Sequence, residues 1–176
     1  MKRIALLSDT HSYLDDRLVE LLGDCDEIWH AGDIGSCGVT DRLLKIKPLK
    51  AVCGNIDGAE LRVQFPSSLR FKCEGVDVWM IHIGGYPGHY DRKVWAELQK
   101  NPPKLLICGH SHILRVIFDQ KYQMLYVNPG AAGQHGFHLV RTFVRFTIDG
   151  DQIKEMEVVE LGSRGLLQTE TGSTPV

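Results

Sequence analysis

Short apolar runs and helically spaced apolar positions alternate in the first third of the chain. Apolar stretches that end in polar residues predict three buried strands, at 3–8, 27–31 and 49–53. Between them, apolar residues three or four positions apart predict helices over 13–22 and 39–46. Because strands and helices alternate in this order, we predict parallel strands joined by right-handed crossovers.

The rest of the chain is rich in β-forming segments. Runs at 69–73 and 76–83 predict a hairpin, and a glycine-rich loop over 84–88 leads to a helix from about 91 to 99. A buried strand is predicted at 105–108. From there the pattern predicts a meander of four strands, at 115–119, 124–127, 141–148 and 152–161.

Length and composition indicate one ordinary globular domain. The 176 residues, 43% of them apolar, suffice for a hydrophobic core without disulfides. We expect one domain over 1–161 and a flexible tail over 162–176, because the tail is polar and rich in Gly, Ser and Thr. The five cysteines include no CxxC pair, which indicates reduced, mostly buried thiols in a cytoplasmic protein.

Charge and hydropathy limit the partners. Lys and Arg total 20 and Asp and Glu total 22, so the net charge is −2 and no basic run is present. We therefore expect that the protein neither binds duplex nucleic acid nor acts as a nuclease, which would need a positively charged groove. No apolar run is long enough for a membrane span or a signal peptide. A small anionic substrate and a homo-oligomer stay open, the latter because one of Trp29, Trp79 and Trp95 could lie at an interface.

Polar motifs follow the predicted strands. In open α/β sheets, ligands bind beyond the carboxyl ends of the strands, so these motifs are expected to converge. In extended backbone, positions i and i+2 face the same side, so both members of each DxH and HxH pair can face one metal-binding region together. The candidate metal ligands are Asp9, His11, Asp33, Asn55, His82, His110 and His112.

This donor set matches first-row divalent metals. Carboxylate, imidazole and amide oxygen together suit such ions, and we expect manganese first, with nickel, zinc, iron or cobalt as alternatives. Two divalent cations carry a charge of +4, and the carboxylates of Asp9 and Asp33 offset it by −2. The surplus would attract a phosphate, and metals about 3.5–4 Å apart can clamp both attacking and leaving oxygens.

The order DxH, GD, GN, H and GHxH resembles the calcineurin-like metallophosphoesterase superfamily. The short chain and the segments Gly54-Asn55-Ile56-Asp57 and Asn128-Pro129-Gly130 resemble its small bacterial and archaeal phosphodiesterase branch, over about residues 1–160. The resemblance implies an α/β fold in which two mixed β-sheets pack as a sandwich with flanking helices. A eukaryotic retromer subunit that works mainly as a scaffold also resembles this branch.

The resemblance further implies a binuclear metal-dependent phosphoesterase that hydrolyses a small phosphodiester by attack of a metal-bridging hydroxide. Asp33, His110 and Asn55 would act through that hydroxide. The two implied ligand sets are Asp9, His11, Asp33 and His112 for one metal, and Asp33, Asn55, His82 and His110 for the other. The alternative is a non-catalytic scaffold, against which the intact set of seven ligands argues.

Three positions depart from the family pattern. Ile56 stands where many members have a histidine, so Asp57 lacks the imidazole it would orient and no general acid is assigned. His82 is followed by Ile83 before glycine, and Ala131 stands where the family often has serine. Because general-acid help is worth roughly 10²–10⁴-fold, we expect activity on esters with acidic leaving groups.

Structural roles without chemistry stay open for several residues. Asp9 could cap the following helix, Asp33 and Asn55 could be turn residues, and His82 could be a core histidine. His110 and His112 could be ordinary loop residues.

Other polar residues are weaker candidates. Asn128, Gly130 and His89 are candidate substrate-binding residues, although the Asn-Pro-Gly segment could equally be a tight turn or brace the ligands. His135 and His138 are solvated loop residues or meet substrate, and His30 is expected to pack in the core or support the ligands instead of binding metal. Arg115 and Arg141 are expected as charges on strand surfaces.

Overall fold

The computed structural model describes residues 1–165, which contain twelve strands and four helices. In chain order they are β1 Lys2–Leu7, α1 Asp16–Leu22, β2 Glu27–His30, α2 Cys37–Ile46, β3 Leu49–Ala51, α3 Ala59–Gln64, β4 Ser68–Cys73, β5 Val76–Ile81, β6 Gly85–Tyr86, β7 His89–Tyr90, α4 Arg92–Leu98, β8 Leu105–Ile107, β9 Arg115–Asp119, β10 Met124–Asn128, β11 Val140–Asp149 and β12 Gln152–Ser163.

The large strands form two five-stranded mixed sheets. The first has the order β12-β11-β1-β2-β3, in which β1, β2 and β3 are parallel and β11 runs antiparallel to both β1 and β12. The second has the order β4-β5-β8-β10-β9, with a parallel centre and antiparallel strands at both edges. The parallel strands of both sheets carry the predicted site motifs at their carboxyl ends.

The core lies between the two sheets. Ile4 and Trp29 of the first sheet pack there against Val78 and Ile107 of the second. The alternate residues of β1, such as Leu7, face the opposite side and pack under α1, α2 and α3. Helix α4 covers the outer face of the second sheet. Because β1 is buried on both faces, its sequence is a continuous apolar run, and the predicted sandwich with flanking helices is confirmed.

The predicted four-stranded meander is wrong. β9 and β10 form a hairpin in the second sheet, whereas β11 and β12 form a hairpin in the first. Residues 129–139 cross from one sheet to the other. A β-forming pattern indicates that a segment is a strand, but its sheet depends on which neighbours bury its apolar face.

Sequence analysis did not predict two short elements. α3 buries only Leu61 while Val63 is exposed, so it lacks the apolar spacing that identifies a helix. The glycine-rich loop contains the small hairpin β6–β7. Helix α1 begins at Asp16, three residues after the predicted start, because the Asp15 carboxylate caps it by accepting the amide of Leu18 at 2.8 Å.

At the carboxyl end, β12 runs to Ser163, two residues past the predicted end of the domain at 161. The predicted flexible tail over 162–176 otherwise lies mostly outside the described residues. All five cysteines are free, and all except the half-buried Cys37 are buried. Within residues 1–165, no helix is both long and apolar enough to cross a membrane.

The expectation that Arg141 is a surface charge is wrong. Its side chain is buried, pairs with the Asp15 carboxylate and donates from Nε to the carbonyl of Ala132 at 3.0 Å. Arg115 is half-buried, with its guanidinium 3.9 Å from the centre of the Tyr86 ring. Arg141 therefore ties β11 to the start of α1.

Candidate metal centre

The loops after β1, β2 and β8 meet at the carboxyl edge of both sheets. The amide of Asp9 donates to Gly32 at 3.0 Å and that of His11 to Asp33 at 3.0 Å, which continues the pairing of β1 with β2 into the loops. The amide of His110 donates to Oδ2 of Asp9 at 3.1 Å. This last bond joins the two sheets at the site.

The extended backbone expected for the DxH and HxH pairs is not what brings them together. Asp9, His11, Asp33, His110 and His112 all have positive φ, between 47° and 67°. Asp and His adopt this left-handed conformation more readily than most residues, and such strain concentrates at functional sites. The side chains of each pair therefore converge through turns that the loop hydrogen bonds stabilise.

One donor group contains Asp9, His11 and His112, whose ligand atoms all lie within 4.8 Å of one another. Oδ1 of Asp9 is 3.1 Å from Nε2 of His112 and 4.0 Å from Nε2 of His11. Asp9 does not cap α1, a role that Asp15 fills.

The second donor group contains Asp33, His82 and His110, again within 4.8 Å. Nε2 of His82 is 3.2 Å from Oδ1 of Asp33 without the alignment of a hydrogen bond, and its Nδ1 is 2.8 Å from the carbonyl of Ala31, which orients the ring. Oδ2 of Asp33 is 3.6 Å from Nε2 of His11. Asp33 thus lies between the two groups.

Three of these side chains have a buried polar atom without a hydrogen-bond partner. Within residues 1–165, four buried side-chain nitrogen or oxygen atoms lack one, and three of them are Oδ1 of Asp9, Nε2 of His11 and Nε2 of His82. A buried unsatisfied group costs about 1–3 kcal/mol, and buried polar groups are otherwise almost always paired. Divalent cations would satisfy all three atoms, so the residues present fit the metals that their chemistry implies.

Electrostatics keeps Asp33 and His11 in the forms that bind metal. Burial would raise the pKa of the Asp33 carboxyl, but His82, the amide of Ile56 and His11 outweigh it and lower that pKa. Burial lowers the pKa of His11 despite the two nearby carboxylates. An ionised Asp33 and a neutral His11 are the forms that donate electron pairs to a cation.

A cavity of about 250 Å³ opens onto both donor groups. Asn55 and Ile56 lie at its wall, and Asn55 and His110 are the exposed members of the predicted ligand set. The amide of Ile56 donates to Oδ1 of Asp33 at 3.1 Å, while its side chain is 46% exposed. The position that lacks a histidine therefore faces the site.

A layer of buried residues supports the ligands. His30 is fully buried, and its Nδ1 accepts the amide of Gly32 at 3.1 Å. That bond leaves the proton on Nε2, which donates to Oγ1 of Thr10 at 2.9 Å. Burial lowers the pKa of His30 to about 4. A neutral His30 thus holds the first two loops together, in the supporting role expected from its sequence position.

Asp57 is a supporting residue whose role sequence analysis missed. Its two carboxylate oxygens accept the amides of Gly35 and Gly54, each at 2.7 Å. Arg62 in turn donates to the carbonyls of Asp57 and Gly54, each at 2.8 Å. Asp57 orients no imidazole; it ties the Asp33 loop to the Asn55 loop. Its position two residues after Gly54-Asn55 is the only feature of the sequence that indicates a role near the site.

The three substrate-binding candidates do not converge on this cavity. Asn128 is fully buried, donates from Nδ2 to the carbonyl of Gly109 at 2.8 Å and accepts the amide of Gly130 with Oδ1 at 3.0 Å. Asn128 and Gly130 thus brace the GHxH loop instead of facing a phosphate. His89 packs beside Tyr86 and lines a different cavity.

Two other histidines do reach the candidate metal centre. The ring centre of His135 is 4.8 Å from that of His11, and the ring centre of His138 is 5.3 Å from that of His112. Between them, Gly136 has φ of +123°, and a Cβ there would lie 2.0 Å from Nδ1 of His112. The crossing segment between the sheets therefore packs directly on the site.

Known proteins match most of this chain. Residues 1–151 match the model of the calcineurin-like phosphoesterase superfamily domain. A probable metallophosphoesterase of Methanothermobacter thermautotrophicus is 30% identical over 136 residues, which cover 73% of this chain and 76% of that protein.

Solved structures share the fold at low identity. Vps29 of Chaetomium thermophilum has a TM-score of 0.72 at 19% identity and covers 92% of this chain and 97% of its own. An archaeal phosphodiesterase has a TM-score of 0.70 at 19% identity, with coverage of 90% and 99%. Vps29 of Entamoeba histolytica complexed with Zn²⁺ has a TM-score of 0.70 at 16% identity, with coverage of 90% and 98%. The family model and the archaeal relative together show that this chain belongs to the calcineurin-like phosphoesterase superfamily.

Proposed function

We propose that this protein is a binuclear metal-dependent phosphodiesterase. The observation that carries the proposal is the pair of adjacent donor groups, each with one carboxylate and two imidazoles. Asp33 lies within 3.6 Å of ligand atoms from both groups, as a bridging carboxylate would.

Each side chain has a role in this proposal. Asp9, His11 and His112 hold one cation, while His82, His110 and Asn55 hold the other, and Asp33 serves both. Bound divalent cations would supply Lewis acidity toward the phosphoryl oxygens and a hydroxide nucleophile at neutral pH. Asn55 and His110 lie on the open side of the site, where a substrate arrives.

The metal in this proposal is manganese, with nickel, zinc, iron or cobalt as alternatives. Mixed oxygen and imidazole ligands suit all five ions, and availability decides among them. The Zn²⁺ complex of Entamoeba histolytica Vps29 shows that a protein of this fold accommodates zinc.

The substrate in this proposal is a small phosphodiester, in a cytoplasmic setting consistent with five free thiols. The fold shared with an archaeal phosphodiesterase supports diester chemistry. The chain carries a net charge of −2, which disfavours long polyanions.

A scaffold is the second candidate, and an exposed apolar strand favours it. Val116, Ile117 and Phe118 on the edge strand β9 are each about two-fifths to one-half exposed. Consecutive exposed apolar residues on a sheet edge are typical of surfaces that pair with another chain, including a second copy of the same chain.

A metal and substrate assay separates the two candidates. Protein loaded with Mn²⁺ or Ni²⁺ is assayed on bis-p-nitrophenyl phosphate and on p-nitrophenyl phosphate, with bound metal measured by mass spectrometry. We expect preference for the diester and a loss on the order of 10³-fold in Asp33→Ala. Asp24→Ala, at an exposed carboxylate, is the control. Unchanged activity in Asp33→Ala would exclude the two-metal mechanism, and absence of both bound metal and turnover in the parent protein would favour the scaffold.

A further inference from the structure

A second and larger cavity adjoins the metal centre on the side of Asn55 and His82. Its volume is about 560 Å³, and it extends from these two residues to Ser67, Ser68 and Lys93. Ligand pockets of roughly 300–1,000 Å³ hold molecules of nucleotide size. Because Asn55 and His82 belong to the proposed ligand set, one end of the cavity lies at the reaction centre.

The charges of this cavity are unbalanced. Arg62 and Lys93 both line it, and neither forms an ion pair with any carboxylate of residues 1–165. Among residues 1–165, Asp91 is the one carboxylate that lines the cavity, and its Oδ1 already accepts the backbone amide of Lys93 at 2.9 Å. The wall therefore offers more positive charge than it neutralises.

The two cations differ in what they can still bind. The guanidinium of Arg62 already donates to the carbonyls of Asp57 and Gly54, so it contributes mainly a positive field. The side chain of Lys93 makes no hydrogen bond to residues 1–165 and is exposed to the cavity. An ammonium with three unused donors binds an anionic group as a mobile point charge.

Hydroxyl groups and apolar surface complete the wall. Oγ of Ser68 accepts the indole N–H of Trp79 at 2.8 Å, which leaves its own proton for a ligand. Ile81 and Ile83 line the same cavity and supply contact area for an uncharged ring. A small apolar group that carries polar substituents and an anion fits this combination.

We infer that this cavity binds one ester arm of the substrate, and that Lys93 recognises a second anionic group, a phosphate or carboxylate, on that arm. The substrate class is then a phosphodiester whose alcohol carries a further negative charge, as in a nucleoside bisphosphate ester. The inference rests on the proposed diesterase function and narrows its substrate.

Two esters that differ only in the second anion test the inference. They are the p-nitrophenyl esters of thymidine 5′-phosphate with and without a 3′-phosphate, which release the same leaving group. We expect a KM roughly three- to tenfold lower for the ester with the 3′-phosphate, the effect of one charge-assisted hydrogen bond at an open site. Lys93→Ala should bring the ratio of the two KM values close to one, whereas Lys93→Arg should preserve it.

The control variant is Lys100→Ala, which removes an exposed lysine just beyond α4 and outside this cavity. It should keep the KM ratio of the parent protein. In the parent protein, the KM of the ester without the 3′-phosphate divided by the KM of the ester with it should also decrease as ionic strength rises, because an exposed ion pair is screened by salt.

Calorimetric binding of thymidine 3′,5′-bisphosphate and thymidine 5′-phosphate gives a readout that needs no turnover. Tighter binding of the bisphosphate that Lys93→Ala abolishes supports the inference even if neither ester is hydrolysed, and in that case the diesterase proposal fails alone. Hydrolysis of both esters with equal KM, unchanged in Lys93→Ala, overturns the inference and leaves the diesterase proposal standing.

Discussion

Oδ1 of Asp9 lies 3.1 Å from Nε2 of His112, although Asp9 follows a strand of the first sheet and His112 follows a strand of the second. This oxygen has no hydrogen-bond partner within residues 1–165, whereas Oδ2 of the same carboxylate accepts the amide of His110 at 3.1 Å. One oxygen of Asp9 therefore holds the GHxH loop, and the other is available to a cation in the proposed site.

Asp9→Asn should remove most of the stabilisation that metal provides. A metal at a hundred times its Kd stabilises a folded protein by about 2.7 kcal/mol, and Mn²⁺ should raise the Tm of the parent protein accordingly. The neutral amide is a weaker ligand, so thermal scans of Asp9→Asn with and without Mn²⁺ should show a much smaller rise in Tm. Asp24→Asn should keep the full rise. An equal rise in Asp9→Asn would contradict the assignment of Asp9 as a ligand.

Asp57→Asn should destabilise the fold and weaken metal binding together. The amide nitrogen of asparagine cannot accept one of the two backbone N–H groups, those of Gly35 and Gly54, that Asp57 now accepts. We expect a cost of about 1–3 kcal/mol in urea unfolding and a lower affinity for Mn²⁺, because the Asp33 and Asn55 loops lose their shared anchor. Asp41→Asn, at an exposed site on α2, is the control. If Asp57→Asn bound metal as tightly as the parent protein, the Asp33 and Asn55 loops would not need the Asp57 carboxylate to hold their geometry.

Ile56→His should broaden the range of leaving groups. Ile56 faces the cavity at the metal centre, and no general acid is assigned there. For the parent protein we expect kcat/KM on aryl methyl phosphates to fall steeply as the pKa of the phenol rises. An imidazole at this position should raise turnover of the poorer esters by up to about 10²-fold, whereas Ile56→Gln should not. Equal rates across the parent series would mean that another group already protonates the leaving oxygen.

Arg141→Met should cost far more stability than Arg145→Met. Arg141 is buried beside Asp15, so its loss leaves a carboxylate that is only 25% exposed without its partner; we expect about 2–4 kcal/mol. Arg145 pairs with Glu157, which is 49% exposed, and such pairs contribute less than about 1 kcal/mol. Urea unfolding of both variants gives the comparison. In a double-mutant cycle, Asp15→Asn should recover part of the Arg141→Met loss, and simple additivity would argue against the pair.

Stability should fall in acid because of Glu27. Burial would raise the pKa of its carboxyl, but hydrogen bonds from Lys50, Trp29 and Lys2 outweigh burial and lower that pKa to about 2. A depressed pKa contributes stability that is fully present above the unfolded value of 4.5 and is lost as the pH falls from there towards 2. The contribution is on the order of 3 kcal/mol.

Glu27→Gln tests this contribution. The variant should be less stable than the parent at pH 7, and its free energy of unfolding should depend less on pH between 4.5 and 2. Glu20→Gln, at an exposed carboxyl of α1, should keep the slope of the parent. Parallel pH profiles for the parent and Glu27→Gln would assign the acid sensitivity to other groups.

Several supporting roles depend on contacts between residues far apart in the chain. Asn128 was a turn or substrate candidate and no role was predicted for Asp57, yet both use their side chains to accept or donate backbone hydrogen bonds across loops. Arg141 was expected as a charge on the strand surface, yet it lies buried against Asp15. The local pattern around each residue carries no information about these partners.

The sequence by itself determined where the ten longer strands lie, that polar motifs follow them, and which superfamily the chain belongs to. These properties depend on local hydrophobic periodicity and on residue types at fixed positions, both of which can be read along the chain. Only the tertiary structure decided that β9–β10 and β11–β12 lie in different sheets, that Asp9 and His112 meet through left-handed turns, that His135 packs on His11, and that Lys93 lines the cavity beside the candidate metal centre. The physical reason is that these arrangements depend on which apolar faces bury one another and which backbone groups then need partners.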